Sequence, residues 1–134
     1  MNNKTGRCLC GAVAYEVSGE PIMTALCHCP SCRRASGAPA VAWAMFPRDK
    51  LSVQGDGPSV YASSQGVQRR FCDKCGTALF FEADYIPGLV DVTIASFDEP
   101  ESLAPQMHIW NRHRLHWMNG VDALETHEEL PPSG

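Results

Sequence analysis

The sequence predicts a mainly β domain of short antiparallel strands joined by tight turns. Ten prolines and eleven glycines interrupt a chain of 134 residues, which leaves little room for long helices. Apolar side chains alternate with others over several short segments, as in Val13, Tyr15 and Val17, and this period of two is typical of strands with one buried face. Helical periodicity is weak along the whole chain.

The predicted elements follow one another without a linker or repeat, so we expect a single domain over residues 1–134. One helical turn is predicted at residues 31–35. The tail at 125–134 is acidic and ends in Pro-Pro-Ser-Gly, and we expect it to fray. From the N-terminus, the strand-like segments are residues 13–17, 41–45, 51–53, 67–71, 77–81, 89–94 and 107–110.

Charge and hydropathy exclude several classes of partner. The net charge of −4 and the pI of about 5.7 argue against nucleic-acid binding, which requires a basic surface. The segment 1–7 lacks the apolar core of a secretion signal. The most apolar segment, 38–46, is shorter than a membrane span of about 20 residues. We expect a cytoplasmic protein without a membrane partner; no sequence feature indicates an oligomeric state.

All seven cysteines fall into three tight clusters. Such bunching predicts metal ligation, because one ion needs its ligands close together, whereas disulfide frameworks scatter their cysteines. Two of the clusters are pairs and the middle cluster is a triplet. The clusters are Cys8 and Cys10, then Cys27, Cys29 and Cys32, then Cys72 and Cys75.

The last cluster, Cys72-Asp73-Lys74-Cys75-Gly76, has the spacing of a zinc knuckle and supplies two ligands. Cys8 and Cys10 are the natural second pair, since using them leaves the triplet intact. The alternative is that Cys8 and Cys10 complete the shell of the triplet. A closed site of four thiolates is structural, and its binding energy contributes to folding.

The triplet offers three thiolates, the number of protein ligands typical of a catalytic zinc. Zinc held by sulfur is a weak Lewis acid toward water and a good partner for a soft exogenous thiolate. This predicts attack by a small thiol on a carbon electrophile. The alternative is a second closed site, with a fourth ligand from a histidine. The candidates are His28, His108, His113 and His116, of which His28 is expected to point away and His113 and His116 to lie on the surface.

Basic residues beside the cysteines are candidate substrate contacts. Arg33 and Arg34 directly follow Cys32 and could bind substrate carboxylates. Arg69 and Arg70 precede the knuckle, and strand alternation places one of them toward the cavity and the other toward solvent.

Three segments together resemble the signatures of the glutathione-dependent formaldehyde-activating enzyme family, which includes centromere protein V. The resemblance extends over residues 6–123 and includes 95–100, His108 and Trp117, although His116 stands where the family often has proline. The three segments are residues 7–15, 27–37 and 70–79.

The resemblance implies a β-tent fold of short antiparallel sheets, with zinc sites at strand ends and turns and two Zn²⁺ per chain. It implies addition of glutathione to formaldehyde, the reverse of a carbon–sulfur lyase reaction, with His108 as a substrate contact. The implied structural zinc ligands are Cys8, Cys10, Cys72 and Cys75, and the implied catalytic ligands are Cys27, Cys29 and Cys32.

Two other functions fit parts of the sequence. A non-catalytic, zinc-stabilised module that binds a protein would be favoured by a closed fourth ligand at the triplet, from His108 or elsewhere. A methionine sulfoxide reductase, which shares the implied fold, needs a redox cysteine in addition to its zinc ligands. Two filled zinc sites use every cysteine of the chain, which argues against the reductase.

Overall fold

A computed structural model describes residues 3–132 as a β-rich structure with one short α-helix and several 3-10 helices. The α-helix, α1, is Pro30–Ser36. No helix within residues 3–132 is long and apolar enough to cross a membrane. The strands are β1 Asn3–Arg7, β2 Val13–Ser18, β3 Met23–Cys27, β4 Val41–Pro47, β5 Leu51–Gly55, β6 Ser59–Ser64, β7 Val67–Phe71, β8 Ala78–Ala83, β9 Leu89–Thr93 and β10 Met107–Ile109.

The strands form two small sheets. The smaller sheet has the order β1-β2-β5, and the larger sheet has the order β10-β3-β4-β9-β8-β7-β6. Every pair is antiparallel except β10 with β3, which is parallel. The predicted mainly β architecture, with cysteine clusters at strand ends and turns, is confirmed.

The main core lies between the smaller sheet and one face of the larger sheet. The alternating residues Val13, Tyr15 and Val17 are all buried there, as their period of two predicts. The ring of Tyr15 packs edge-on against Phe80 and Phe97, with centroids 5.3 Å apart in both cases. The central part of this face of the larger sheet is therefore used in packing.

The opposite face of the larger sheet carries the candidate site. Arg69 on β7 lies opposite Phe81 on β8, and Phe81 lies opposite Asp91 on β9. Directly opposite residues project to the same face, so these side chains form a row across the sheet. Trp43 and Cys27 continue this face on β4 and β3. Residues distant in sequence thus come together by register.

Sequence periodicity found most elements and missed three strands. Each predicted strand is present, and α1 extends one residue beyond the predicted turn at either end. The strand predicted at 107–110 ends at Ile109, because Trp110 adopts a left-handed conformation with φ 52°. Strands β1 and β6 are largely exposed edge strands, and β3 is buried without clean alternation, so none of them shows the expected pattern.

The C-terminal region contains a 3-10 helix, His116–Ala123, that the weak periodicity did not predict. Residues 125–132 lie outside helices and strands and are exposed. The end of the predicted frayed tail, 133–134, lies outside the described residues.

We expect Gly55→Ala to destabilise the protein by about 2–4 kcal/mol, well beyond Gly57→Ala at about 1 kcal/mol. Both glycines have positive φ, 87° and 75°, so backbone strain is shared. A Cβ at Gly55 would lie 2.2 Å from the carbonyl oxygen of Ala12, whereas a Cβ at Gly57 meets nothing within 4 Å. Urea unfolding measures both changes, and equal losses would contradict this packing.

Candidate active site and metal centres

The quartet Cys8, Cys10, Cys72 and Cys75 forms the first candidate metal centre. All the Sγ atoms of the quartet lie within 4.8 Å of one another. The Cys8–Cys10 and Cys10–Cys72 sulfur distances are 3.7 and 3.8 Å. A tetrahedral ion with metal–sulfur bonds of about 2.3 Å requires sulfurs about 3.8 Å apart. The donor set and its spacing therefore fit a four-coordinate thiophilic metal such as zinc.

Tight turns present the quartet sulfurs. The amide of Gly11 donates to the Cys8 carbonyl at 3.1 Å, and that of Gly76 donates to the Cys72 carbonyl at 2.7 Å. The Val13 amide donates to Cys8 Sγ at 3.3 Å. Contact with the Thr77 hydroxyl, 3.2 Å away, lowers the pKa of Cys75 to about 5. These contacts favour the thiolate forms that a metal requires. Of the two pairings that the spacing allowed, the structure shows Cys8 and Cys10 beside the knuckle.

The trio Cys27, Cys29 and Cys32 forms the second candidate metal centre. Cys27 ends β3, Cys29 is the N-cap of α1, and Cys32 lies in its first turn. The Cys29 sulfur accepts the Cys32 amide at 3.3 Å, and Pro30 occupies the first helical position, where its missing N–H has no cost. The trio sulfurs lie within 4.8 Å of one another. No other His, Cys, Asp or Glu within residues 3–132 joins this group.

The trio concentrates negative charge on Cys32, one of its two buried members. The hydrogen bond with Cys27, assisted by Cys29 and the Arg69 guanidinium, lowers the pKa of Cys32 to about 5. The same contact with Cys32, together with burial, raises the pKa of Cys27. Cys29 is only half-buried, so it is the trio member nearest to solvent.

Arg69 is the guanidinium that faces the trio. Its Nη1 and Nη2 atoms donate to Cys32 Sγ at 3.7 and 3.8 Å. Its Nε donates to Ser63 Oγ at 3.1 Å, and its Cζ lies 5.0 Å from the centroid of the Phe81 ring. Arg70 instead donates through Nε to Glu82 at 2.7 Å. The predicted alternation of this pair across the strand is confirmed, but Arg70 is half-buried beside Glu82 and does not project freely into solvent.

A cavity of about 340 Å³ adjoins the trio. Trp110 at its edge is the one non-glycine residue with positive φ among residues 3–132. Backbone strain of this kind is concentrated at functional sites. Besides the trio, the lining comprises aromatic, polar and apolar side chains: Pro30, Ser31, Trp43, Ser63, Ser64, Val67, Arg69, Phe81, Tyr85, Asp91, Ile109, Trp110 and His113.

Asp91 is the carboxyl group in this cavity. Burial, with the negative charge of Cys32 as a second cause, raises its pKa to about 6. Within residues 3–132 it has no hydrogen-bond or ion-pair partner, although Arg69 and Tyr85 line the same cavity. An unpaired carboxyl in a cleft is a candidate for proton transfer.

The residues predicted to contact substrate lie elsewhere. Arg33 donates through Nη1 to the carbonyls of His28 at 2.8 Å and His113 at 2.7 Å, so it ties α1 to the C-terminal region. Arg34 is exposed. The Nδ1 of His108 lies 2.9 Å from Nε2 of His28. Arg33, Arg34 and His108 are all absent from the cavity lining.

The histidine expectations are corrected in one case. His28 is fully buried against His108 and is not part of the trio group. Its pKa is lowered by burial and by the neighbouring positive groups, so it is neutral. His113 was expected on the surface, but it is half-buried and lines the cavity because the 3-10 turn Asn111–His113 folds back beside Trp110.

Sequence reasoning missed Asp91 and Tyr85. Asp91 gave a readable signal, since it is the one charged residue within the apolar segment 89–94. Tyr85 lies in the turn between β8 and β9 and gave none, because only the fold brings that turn to the trio.

Comparison with known proteins identifies similar chains. Residues 3–113 match the family described as glutathione-dependent formaldehyde-activating enzyme. A Halomonas elongata protein named a putative glutathione-dependent formaldehyde-activating enzyme is 30% identical over 122 residues, 84% of this chain and 78% of that protein. A Schizosaccharomyces pombe protein named an uncharacterized lyase is 34% identical over 81 residues, 60% of this chain. The match spans only 58% of that lyase.

The fold also matches a solved structure. The crystal structure of a Rhodobacter sphaeroides protein superposes with a TM-score of 0.63 at 26% identity, covering 78% of this chain and 98% of that chain.

Proposed function

Because the chain belongs to the glutathione-dependent formaldehyde-activating enzyme family, we propose that it is a zinc-dependent carbon–sulfur lyase. In the synthetic direction, it adds a small thiol such as glutathione to formaldehyde or a related carbonyl compound. The observation that carries this proposal is the trio, whose sulfurs border a cavity without a fourth side-chain ligand among residues 3–132.

The donor chemistry supports zinc at both centres, two ions per chain. Clusters of thiolates select soft or borderline metals, and closed tetrahedral sulfur sites are typical of structural zinc. The quartet fits such a structural role, since its sulfur spacings match a tetrahedron. At the trio, a bound zinc would supply a soft Lewis acid that accepts an exogenous thiol in its deprotonated form.

The cavity walls suit a small thiol and a small electrophile. Its volume of about 340 Å³ is at the lower end of small-molecule sites. Trp43 and Phe81 are buried and form an apolar wall, which limits the access of water to the reacting atoms. Arg69 is held by Ser63 and Phe81, so its charge is already in place when an anionic thiol enters.

Isothermal titration of the zinc-loaded protein tests the proposal. Glutathione should bind with release of a proton, detected as a dependence of the heat on the buffer, because the thiol binds as thiolate. S-Methylglutathione has the same charges but no ionisable thiol, and it should not bind. Absence of glutathione binding at millimolar concentration, or equal binding of both compounds, would contradict the proposed function.

We expect Arg69→Lys to weaken glutathione binding about tenfold while Arg70→Lys leaves it unchanged. Lysine keeps the charge at position 69 but loses the planar fork that contacts both Cys32 and Ser63. Arg70 is the matched control, since it occupies the neighbouring position and contacts Glu82 on the other face. The same titration measures both variants, and equal affinities would show that Arg69 has no part in binding.

A further inference from the structure

Asp91 lies on the sheet face that forms the floor of the trio cavity. It is separated from Arg69 by Phe81 in register, two strand spacings away, or about 10 Å. A small molecule in contact with the trio can therefore meet the guanidinium on one side and the carboxyl on the other. Asp91 has no hydrogen-bond partner within residues 3–132, so its oxygens are free to contact a ligand.

Addition of a thiolate to a carbonyl requires a proton donor. The carbonyl oxygen becomes a strongly basic alkoxide as the carbon–sulfur bond forms. An acid positioned in the site typically contributes about 10²–10⁴-fold to such a step. The reverse reaction requires a base to remove the hydroxyl proton, and one group can serve both directions.

The other titratable groups that line the cavity are less suited to this transfer. Arg69 does not deprotonate in proteins. Tyr85 is largely exposed, and partial desolvation together with the charge of Asp91 raises its pKa above the ordinary value, so it keeps its proton at neutral pH. His113 Nε2 already accepts from Arg112 at 3.4 Å, and His113 lies in the turn Asn111–His113 and not in the sheet row that carries Arg69 and Asp91. The cysteines of the trio are the candidate metal ligands.

We propose that Asp91 is the acid–base residue that gives the proton to the carbonyl oxygen during addition and takes it back during cleavage. This inference rests on the proposed function. In the addition direction, a lone pair on the thiolate sulfur forms the C–S bond and the carbonyl π pair moves to oxygen. The carboxyl proton of Asp91 passes to that oxygen. In cleavage, the Asp91 carboxylate removes the hydroxyl proton, C=O re-forms, and the C–S pair returns to sulfur. No oxidant or reductant is involved.

Asp91→Asn tests this assignment, with Asp91→Glu as the conservative variant. Asp84→Asn is the matched control, since Asp84 is exposed and lies outside the trio cavity. Exchange NMR on glutathione and formaldehyde measures the catalysed interconversion with S-(hydroxymethyl)glutathione, after subtraction of the uncatalysed rate. Zinc content and glutathione affinity are measured on the same samples.

Asp91→Asn should keep its zinc and its glutathione affinity, and its catalysed exchange rate should fall about 100-fold. The pH profile of the wild-type exchange rate should show an inflection on the acid side of neutrality, and Asp91→Asn should lose it. Asp91→Glu should retain the inflection and part of the rate, and Asp84→Asn should match the wild type. The assignment of Asp91 would be overturned if Asp91→Asn kept the wild-type exchange rate and pH profile, or if weaker glutathione binding explained its loss of rate. Either result would leave the proposed function standing. Absence of thiol binding and exchange in the wild type would instead reject the proposed function, and this assignment with it.

Discussion

Replacing Cys72 with serine is expected to remove one zinc per chain and to lower the free energy of unfolding by several kcal/mol. Cys72 is buried, and its sulfur lies 3.8 Å from that of Cys10, which is 62 positions away in sequence. The quartet thus ties the turn after β1 to the turn after β7. Structural zinc contributes on the order of 10 kcal/mol in small zinc-dependent peptides, and a domain with its own core should lose a part of that.

Elemental analysis and urea unfolding measure this effect. We expect the Cys72→Ser protein to carry about one zinc and to unfold at a markedly lower urea concentration than the wild type. A chelator that strips the wild type should lower its stability to a similar level. Unchanged stability together with lost metal would show that the quartet does not support the fold.

Replacing Cys29 with serine is expected to abolish glutathione binding and catalysis while leaving the fold intact. Cys29 is half-buried at the cavity and is the N-cap of α1. Serine is a favourable N-cap, so its hydroxyl can accept the Cys32 amide as the sulfur does. A hydroxyl does not ionise at neutral pH as a thiol does, however, and the trio loses one of its soft ligands.

The Cys29→Ser protein should lose its catalysed exchange rate by at least about 10³-fold, with a urea midpoint close to that of the wild type. The contrast with Cys72→Ser separates the two centres: one substitution should affect chemistry and the other stability. Retention of glutathione binding by Cys29→Ser would contradict a chemical role for the trio.

Local sequence spacing carried most of the information about metal ligation. The trio lies within six residues and the knuckle within four, so short turns alone bring those sulfurs together. The second pair of ligands for the knuckle could not be assigned from local spacing, because Cys8 and Cys10 are distant from Cys72 and Cys75 in sequence. Spacing left that choice open, the family resemblance implied it, and the structure groups the four sulfurs.

The charged residues that line the cavity were less predictable than the metal ligands, for a physical reason. Adjacency to Cys32 suggested Arg33 and Arg34, but α1 directs Arg33 to backbone carbonyls and leaves Arg34 exposed. Arg69 and Asp91 reach the cavity through cross-strand register, which depends on tertiary pairing. For Arg69, strand alternation predicted that one of the two neighbouring arginines, Arg69 or Arg70, faces the cavity, but not which one. The charge of Asp91 within an apolar strand indicated an unusual position without indicating what it faces.

X-ray absorption at the zinc edge, on protein with and without glutathione, tests most directly whether the cysteine trio holds a metal that accepts an external thiol. The number of sulfur ligands per zinc, averaged over the two ions, should rise from about 3.5 toward about 4 when glutathione is added. S-Methylglutathione should leave this number unchanged. A sulfur number that starts at about 4, or that glutathione does not change, would contradict the account.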